Sequence, residues 1–432
     1  MLHWAGTGGP FAFWCGGEGC VFFRPLAAAS IFVDYRLWGL FPAGFHAVNV
    51  LLHGVNAFLV YVLFSRVFPR SRKAGLLAGL LFLLLPAHVE AVTWISCRTD
   101  LLAAFFALLS LIAFARSLKP PPENAPRPRR AAIFAAAPLF FLASLLSKES
   151  TAALPLVAAL MAAAHPSFRL ERDGRRAAAA VGLLALVMGG YLLWRRAALG
   201  VWVGGYGVEA HFLKAWSSPL LTTKLLAAFL AKTFLPPQAA GPLWALRGRP
   251  FLAAAVLVCA LAVLLVLRTP ARDLKTMGLL LACQAAALLP VLGLGVSLDT
   301  TVGDRFLYFP SVFGVFALSA LLVSLAPNRN PVAVAIPVLA LFSAFVLANQ
   351  VPWVKAGQAA RQVLDQVGRD RGRAEIVVHA PKAMQGAYVF KNGLKQAVLV
   401  YYGQEVWDKV RAGGASPPAL AVRGPAPGSG ED

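Results

Sequence analysis

Apolar runs recur along the chain from Gly44 to Asn349, separated by short stretches rich in arginine, lysine and proline. At ~17–25 residues per span, the runs predict about ten transmembrane helices. They fall at 44–64, 74–95, 100–116, 131–147, 150–164, 177–193, 250–267, 276–297, 311–326 and 331–349. The stretch Lys214–Phe234 is apolar but interrupted by Lys214, Lys224 and Lys232, so it reads as a helix lying in the membrane interface. After Trp353 the pattern becomes that of a soluble segment. Val354–Val367 predicts an amphipathic helix, Glu375–Pro381 a short strand, and Gly386–Tyr402 a strand leading into a helix. The expected fold is an all-α polytopic membrane protein with a small C-terminal α/β appendage. Its expected parts are an N-terminal outer loop region (1–43), a multi-span domain (44–352), the appendage (353–411) and a disordered Gly/Pro/Ser-rich tail (412–432).

Composition supports the membrane reading: 59% of residues are hydrophobic and only 14% charged, with a mean hydropathy of +0.68. Soluble chains carry about 25% charged residues. The net charge is +21, from 40 Lys+Arg against 19 Asp+Glu. In a soluble protein this excess would point to nucleic acid. Here the basic residues lie mostly between apolar runs, where topology and anionic lipid account for them, and no nucleic-acid partner is expected. Arginines and lysines cluster after the first, third and fifth runs, which makes those loops cytoplasmic. Pro86–Leu102, Ser147–Ser150 and Asp299–Pro310 then face outward. Arg195, Arg196, Arg247 and Arg249 also fall outside, against the rule. Cys15 and Cys20 could pair in an oxidising compartment, whereas Cys97, Cys259 and Cys283 look like lone thiols. Abundant Ala, Arg, Gly and Pro read as a GC-rich bacterial source, which places the chain in an inner membrane with its appendage in the periplasm.

Ionisable residues at a membrane boundary mark functional sites, and the densest group is His88, Glu90, Arg98 and Asp100 within Pro86–Leu102. On a regular helix His88 and Glu90 would point about 200° apart. In an extended loop they would share a side and could hold a proton or a divalent metal. Arg98 suits a phosphate, and Asp100 can cap the next helix; a salt-bridged loop is the plainer reading. Asp34, among apolar residues, is either a catalytic or orienting carboxylate or the partner of Arg24 or Arg36. His46, Asn49, His53 and Asn56 fall within an arc of about 80° on one helix, which fits interhelical hydrogen bonding, with His46 the best placed to reach a substrate. Lys148 and Glu149, in Ser147–Ser150, offer a phosphate ligand or a tight turn with a local ion pair. Arg305 and Tyr308 offer phosphate or sugar contacts, or an aromatic belt with an anchoring arginine.

The words R-P-L…D-Y-R-L-W-G…G-F-H-A-V-N-V-L-L-H-G-V-N-A, P-A-H-V-E-A-V-T-W-I-S-C-R-T-D-L-L, S-K-E-S and D-R-F-L-Y-F-P-S-V occur in that order. Together they resemble the transmembrane O-mannosyltransferase family that carries tetratricopeptide repeats, and its bacterial relatives, within the C-type glycosyltransferases. The resemblance covers roughly residues 22–330. It implies a polytopic enzyme that takes a sugar from a lipid-linked phosphosugar, typically a polyprenyl phosphate sugar, on the outer membrane face. It also implies an outer site holding His88, Glu90, Arg98 and Asp100, with Lys148 and Arg305 toward the lipid phosphate. Two features depart from the family. Its first span and the acidic pair of the following loop have no clear counterpart; the equivalent region offers Glu18, in G-G-E-G-C, and reads as the interior of a loop. The tetratricopeptide array is replaced by the appendage.

The expectation is a membrane glycosyltransferase in which Glu18 or Asp34 acts as base, Arg98, Lys148 and Arg305 stabilise the leaving phosphate, and Glu90 and His88 orient the sugar or a metal. Its partners would be a lipid-linked sugar donor, membrane lipids and an acceptor the sequence does not name. The alternatives are a non-catalytic protein that binds lipid-linked intermediates or an assembly partner, and a transporter.

Overall fold

A computed structural model describes residues 22–68, 72–118, 127–164, 170–202, 215–237, 271–325, 330–390 and 393–412. The chain forms two compact units, Met1–Gln350 and Val351–Asp432.

The first unit is built from helices. In order they are α1 (Pro25–Trp38), α2 (Pro42–Val67), α3 (Arg72–Leu83), α4 (Val89–Thr93), α5 (Arg98–Ser117), α6 (Arg127–Ser147), α7 (Leu154–Ala164), α8 (Leu170–Leu199), α9 (Pro219–Phe234), α10 (Ala271–Leu288), α11 (Ser311–Leu325) and the start of α12 (Pro331–Asp370). Proline opens α1, α2 and α9, where its missing N–H costs no helical hydrogen bond. α2 packs on α3 and α5, α5 on α6, α10 on α7 and α11, and α11 on α3. Leu63, Leu77, Phe82, Phe114, Phe141, Phe313 and Phe316 are fully buried between them.

The protein is a multi-pass membrane chain, and the helices support five or six of the ten expected spans. Among the described residues, five helices are long and apolar enough to cross: Pro42–Val67, Ile95–Ser117, Asp173–Leu199, Leu274–Leu294 and Pro331–Asp370. A sixth forms if Arg72–Leu83 and Pro86–Thr93, bent by 50°, count as one broken span. The apolar helices Leu154–Ala164 and Ser311–Ser324 are shorter; at ~1.5 Å per residue they fall short of a ~30 Å hydrocarbon layer. The run 150–164 shortens because its first residues form a 3-10 turn, Glu149–Thr151. The expected span at 250–267 lies outside the described residues. Within Lys214–Phe234 the structure has a 16-residue helix, α9, whose last turn is buried at Phe229, Lys232 and Thr233.

The second unit holds the end of α12, two small sheets and two short helices, α13 (Leu394–Tyr402) and α14 (Gln404–Lys409). β1 (Ile376–Val378) pairs in parallel with β4 (Val410–Ala412), and β2 (Ala383–Met384) pairs antiparallel with β3 (Ala387–Tyr388). Gln385 and Gly386 both take positive φ, 49° and 91°, which closes β2–β3 as a two-residue hairpin. Val363, Val367, Ile376, Val378, Val398, Val406 and Val410 form this unit's own core.

Candidate functional site

The break between α3 and α4 is built by proline and repaired by the polar stripe of α2. Pro86 lacks an N–H and disfavours helix before it, so α3 stops at Leu83 and a 3-10 turn, Pro86–His88, follows. A helix that stops leaves carbonyls without partners. His53 Nε2 donates to the Leu83 carbonyl (3.1 Å) and His88 Nδ1 to that of Phe82 (2.9 Å). Asn49 Nδ2 reaches the carbonyls of Val92 (3.1 Å) and Trp94 (3.4 Å), and Asn56 Nδ2 that of Leu101 (3.0 Å). The expected interhelical role of Asn49, His53 and Asn56 is thus what the geometry shows. His46 is half-buried on α2 and joins none of these contacts.

The segment expected as an outward loop is instead helical turns, and this changes the neighbours of its charges. Glu90 lies in α4, fully buried, with Oε2 accepting the backbone N–H of Arg305 (2.8 Å) and Oε1 accepting the Arg305 guanidinium. His88 meets Ser311 Oγ through Nε2 (2.8 Å). Both ring nitrogens of His88 and both oxygens of Glu90 are therefore engaged by protein groups. Among the described residues no three His, Cys, Asp or Glu side chains are grouped to hold an ion.

Arg98 opens α5 with no exposed surface. It donates to Ser30 Oγ (2.8 Å), Asp34 Oδ2 (2.7 Å), the Phe45 carbonyl (3.0 Å) and Asn49 Oδ1. Ser30 and Asp34 are one turn apart on α1, so this guanidinium joins α1, α2 and α5. Asp34 is paired with Arg98, not with Arg24 or Arg36, and the guanidinium expected at a phosphate is enclosed by protein. Arg24 pairs with Glu149 (2.6 Å), and Lys148 with Asp100 (2.6 Å); in place of the ion pair expected within the Ser147–Ser150 turn, the two charges reach Arg24, just before α1, and Asp100 on α5. Burial alone would raise the Glu149 carboxyl, but the Arg24 guanidinium, its hydrogen bonds and the nearby Arg195 charge hold it at about 2.

Tyr308 is buried, not at an interface. Its hydroxyl donates to His53 Nδ1 (2.7 Å) and accepts from Asn56 Nδ2 (3.2 Å), inside a ring cluster with Phe82 and His88. Arg305 and Lys148 share an aromatic wall. The Phe306 ring centroid lies 4.4 Å from the Arg305 guanidinium carbon and 5.4 Å from Lys148 Nζ, and Trp94 stands 5.2 Å from the same guanidinium. A fifth pair went unread in the sequence. Lys232, from the end of α9, stands 3.6 Å from Asp304 and donates to the Thr300 carbonyl at 2.9 Å. A lysine set in the apolar run Leu225–Phe234 was the available signal. Glu18 lies outside the described residues.

The site therefore holds five carboxylates and five cations joining α1, α4, α5, α9 and the turns at Lys148–Thr151 and Asp304–Leu307, walled by Trp94 and Phe306. Lys148 and Arg305 carry the charge, and Trp94 and Phe306 the rings, that suit a phosphate and a sugar.

No protein-family model and no solved structure matches the chain. Segments of it are similar to curated proteins. Mouse protein O-mannosyl-transferase TMTC4 is 38% identical over 110 residues, 22% of this chain and 15% of the relative. The fruit-fly (Drosophila melanogaster) protein O-mannosyl-transferase Tmtc1 is 39% identical over 95 residues, 22% of this chain and 11% of the relative. Fruit-fly protein O-mannosyl-transferase Tmtc2 is 38% identical over 138 residues, 32% of this chain and 14% of the relative. The match thus spans well under a fifth of each relative's length, and over that stretch the chain resembles the transmembrane O-mannosyltransferases.

Proposed function

We propose that the chain is a membrane glycosyltransferase that moves a sugar from a polyprenyl-phosphate donor to an acceptor hydroxyl, on the outer face of a bacterial inner membrane. The observation that carries this reading is the buried group Glu90–Arg305 and Asp100–Lys148 against Trp94 and Phe306. Charges enclosed among membrane helices are expensive and are kept for function. The similarity to proteins named O-mannosyl-transferases supports the same reaction class.

In this reaction the bond between sugar C1 and the phosphate oxygen breaks, and negative charge grows on the lipid phosphate. Lys148 and Arg305 are the cations that meet it, exchanging part of their contact with Asp100 and Glu90 for the phosphate as charge develops. Stabilising that charge is the largest single contribution such groups make. Arg98 and Asp34 hold α1 against the rest of the site.

The test is transfer from a polyprenyl-phosphate hexose to hydroxyl acceptors by the protein in lipid nanodiscs. Wild type transfers sugar, and Lys148→Gln with Arg305→Gln lowers turnover at least ~100-fold, the lower range for removing a preorganised charge partner. Equal turnover in wild type and the double variant removes the site assignment. A second reading follows from the completeness of the pairing: the network is a structural clamp and the chain binds lipid-linked sugars without reaction. Donor binding with no transfer to any hydroxyl acceptor would favour it.

A further inference from the structure

The buried carboxylates can be ranked by what their oxygens already do. Both oxygens of Glu90 accept from Arg305, and both of Glu149 accept from Arg24. Asp34 accepts from Arg98, while Asp100 accepts from Lys148 on one oxygen and from Thr99 on the other. Asp304 differs. It has no exposed surface, and neither oxygen has a hydrogen-bond partner. An enclosed carboxylate without hydrogen bonds is strongly disfavoured, and one that persists calls for an explanation.

The surrounding geometry holds the charge of Asp304 while leaving its lone pairs open. Lys232 Nζ donates to the Thr300 carbonyl at 2.9 Å and stands 3.6 Å from Asp304 Oδ1, near enough to attract but beyond a hydrogen bond. The guanidinium of neighbouring Arg305 is committed to Glu90. Gly303, at φ +88°, turns the chain so that Asp304 begins a 3-10 turn pointing into the site. The segment leading to it, Gly295–Thr300, is partly exposed; Ser297 and Thr300 bond to one another, and the Thr300 carbonyl is held by Lys232.

We propose that Asp304 is the carboxylate that takes the proton from the acceptor hydroxyl. This rests on the glycosyltransferase reading. In the step, the acceptor O–H bond breaks and its proton goes to an Asp304 oxygen. The acceptor oxygen bonds to sugar C1, and the C1–O bond to the phosphate breaks with its electron pair leaving on the lipid phosphate. Hydrogen bonds to a carboxylate lower its basicity, so the carboxylates already saturated by arginine are weaker bases than Asp304. Burial pushes the Asp304 carboxyl up and Glu90 adds to this, while Lys232 and Arg305 oppose it. Lys232 is thus a positioning residue that opposes this rise and favours the ionised form.

The test uses the full chain in nanodiscs, with a polyprenyl-phosphate hexose as donor, measuring donor binding and transfer across pH. Asp304→Asn lowers kcat ~100- to 10,000-fold, the range for a lost general base, with donor affinity within about twofold and the acidic limb of the kcat/KM profile gone. Asp304→Glu recovers part of the rate. Lys232→Met, which keeps the stem and removes the charge, moves the acidic limb to higher pH; a clamp of purely structural use would leave that limb in place. Wild type that transfers sugar beside an Asp304→Asn variant that transfers equally overturns the inference alone, as does an Asp304→Asn loss that appears wholly in donor affinity. Wild type that transfers nothing overturns the glycosyltransferase reading and this inference with it.

Discussion

A guanidinium enclosed by protein must find oxygen for its N–H groups, and Arg98 finds four acceptors on α1 and α2. The residue scale is ruled by such long-range partnerships. Glu149 and Arg24, 125 positions apart, form another. The Glu149 carboxyl is held at about 2 against an ordinary 4.5. A carboxyl depressed by folding adds stability above its unfolded value and loses it as pH falls through the folded one. Glu149→Gln should therefore be less stable than wild type at pH 7, and the gap should close between pH 4.5 and about 2. Thermal unfolding in detergent at pH 7 and near pH 2 measures this; a gap that is the same at both would refute the pairing. The sequence showed which residues carry charge at this boundary, but not their partners. Asp34 lies beside Arg36 in sequence, yet pairs with Arg98, 64 positions away. Partner choice across helices is set by packing, which periodicity does not encode.

At the scale of elements, the α3–α4 break and the Gly295–Leu307 segment shape the site. The stripe on α2 was legible because three polar side chains on one face of an apolar helix need partners; that these would be the free carbonyls of a broken neighbour was not. Span number was less legible. Hydropathy finds apolar runs, but two of them, at Leu154–Ala164 and Ser311–Ser324, fold as helices too short to cross alone and pack against the core. In the Gly295–Leu307 segment Gly303 is the fixed point, since a Cβ there would stand 2.9 Å from the Gly295 carbonyl at a φ of +88°. Gly303→Ala should cost ~1–3 kcal/mol, the usual range for a residue held in a disfavoured backbone region. Its melting temperature in detergent should fall by several degrees, and an unchanged melting temperature would remove Gly303 from this role.

For the whole molecule, the second unit stands on a core of its own. The sequence placed a helix, a strand, and a strand leading into a helix here, and short period-two runs made them readable; the parallel pairing of β1 with β4 joins residues more than thirty positions apart and was not. A unit of this size is near the limit for independent folding. A fragment covering Val351–Ala412 should unfold cooperatively by circular dichroism. Val367 has no exposed surface, and Val367→Ala, at a loss on the order of 2 kcal/mol, should leave the fragment largely unfolded. A fragment that melts without cooperativity, or is indifferent to this change, would show that the unit depends on the rest of the chain.

Each of the five cations that meet across helices faces one carboxylate: Arg24, Arg98, Lys148, Lys232 and Arg305 against Glu149, Asp34, Asp100, Asp304 and Glu90. These pairs sum to zero, so the chain's +21 resides elsewhere. Neutral pairs project little field into the surroundings, and the field they do project is lost within ~10 Å at ordinary salt. An anionic lipid is therefore not steered to these groups from a distance. It reaches them by lateral diffusion within the bilayer, its affinity drawn from the tail and from contacts made on arrival. The capture rate should depend on membrane fluidity and hardly at all on ionic strength.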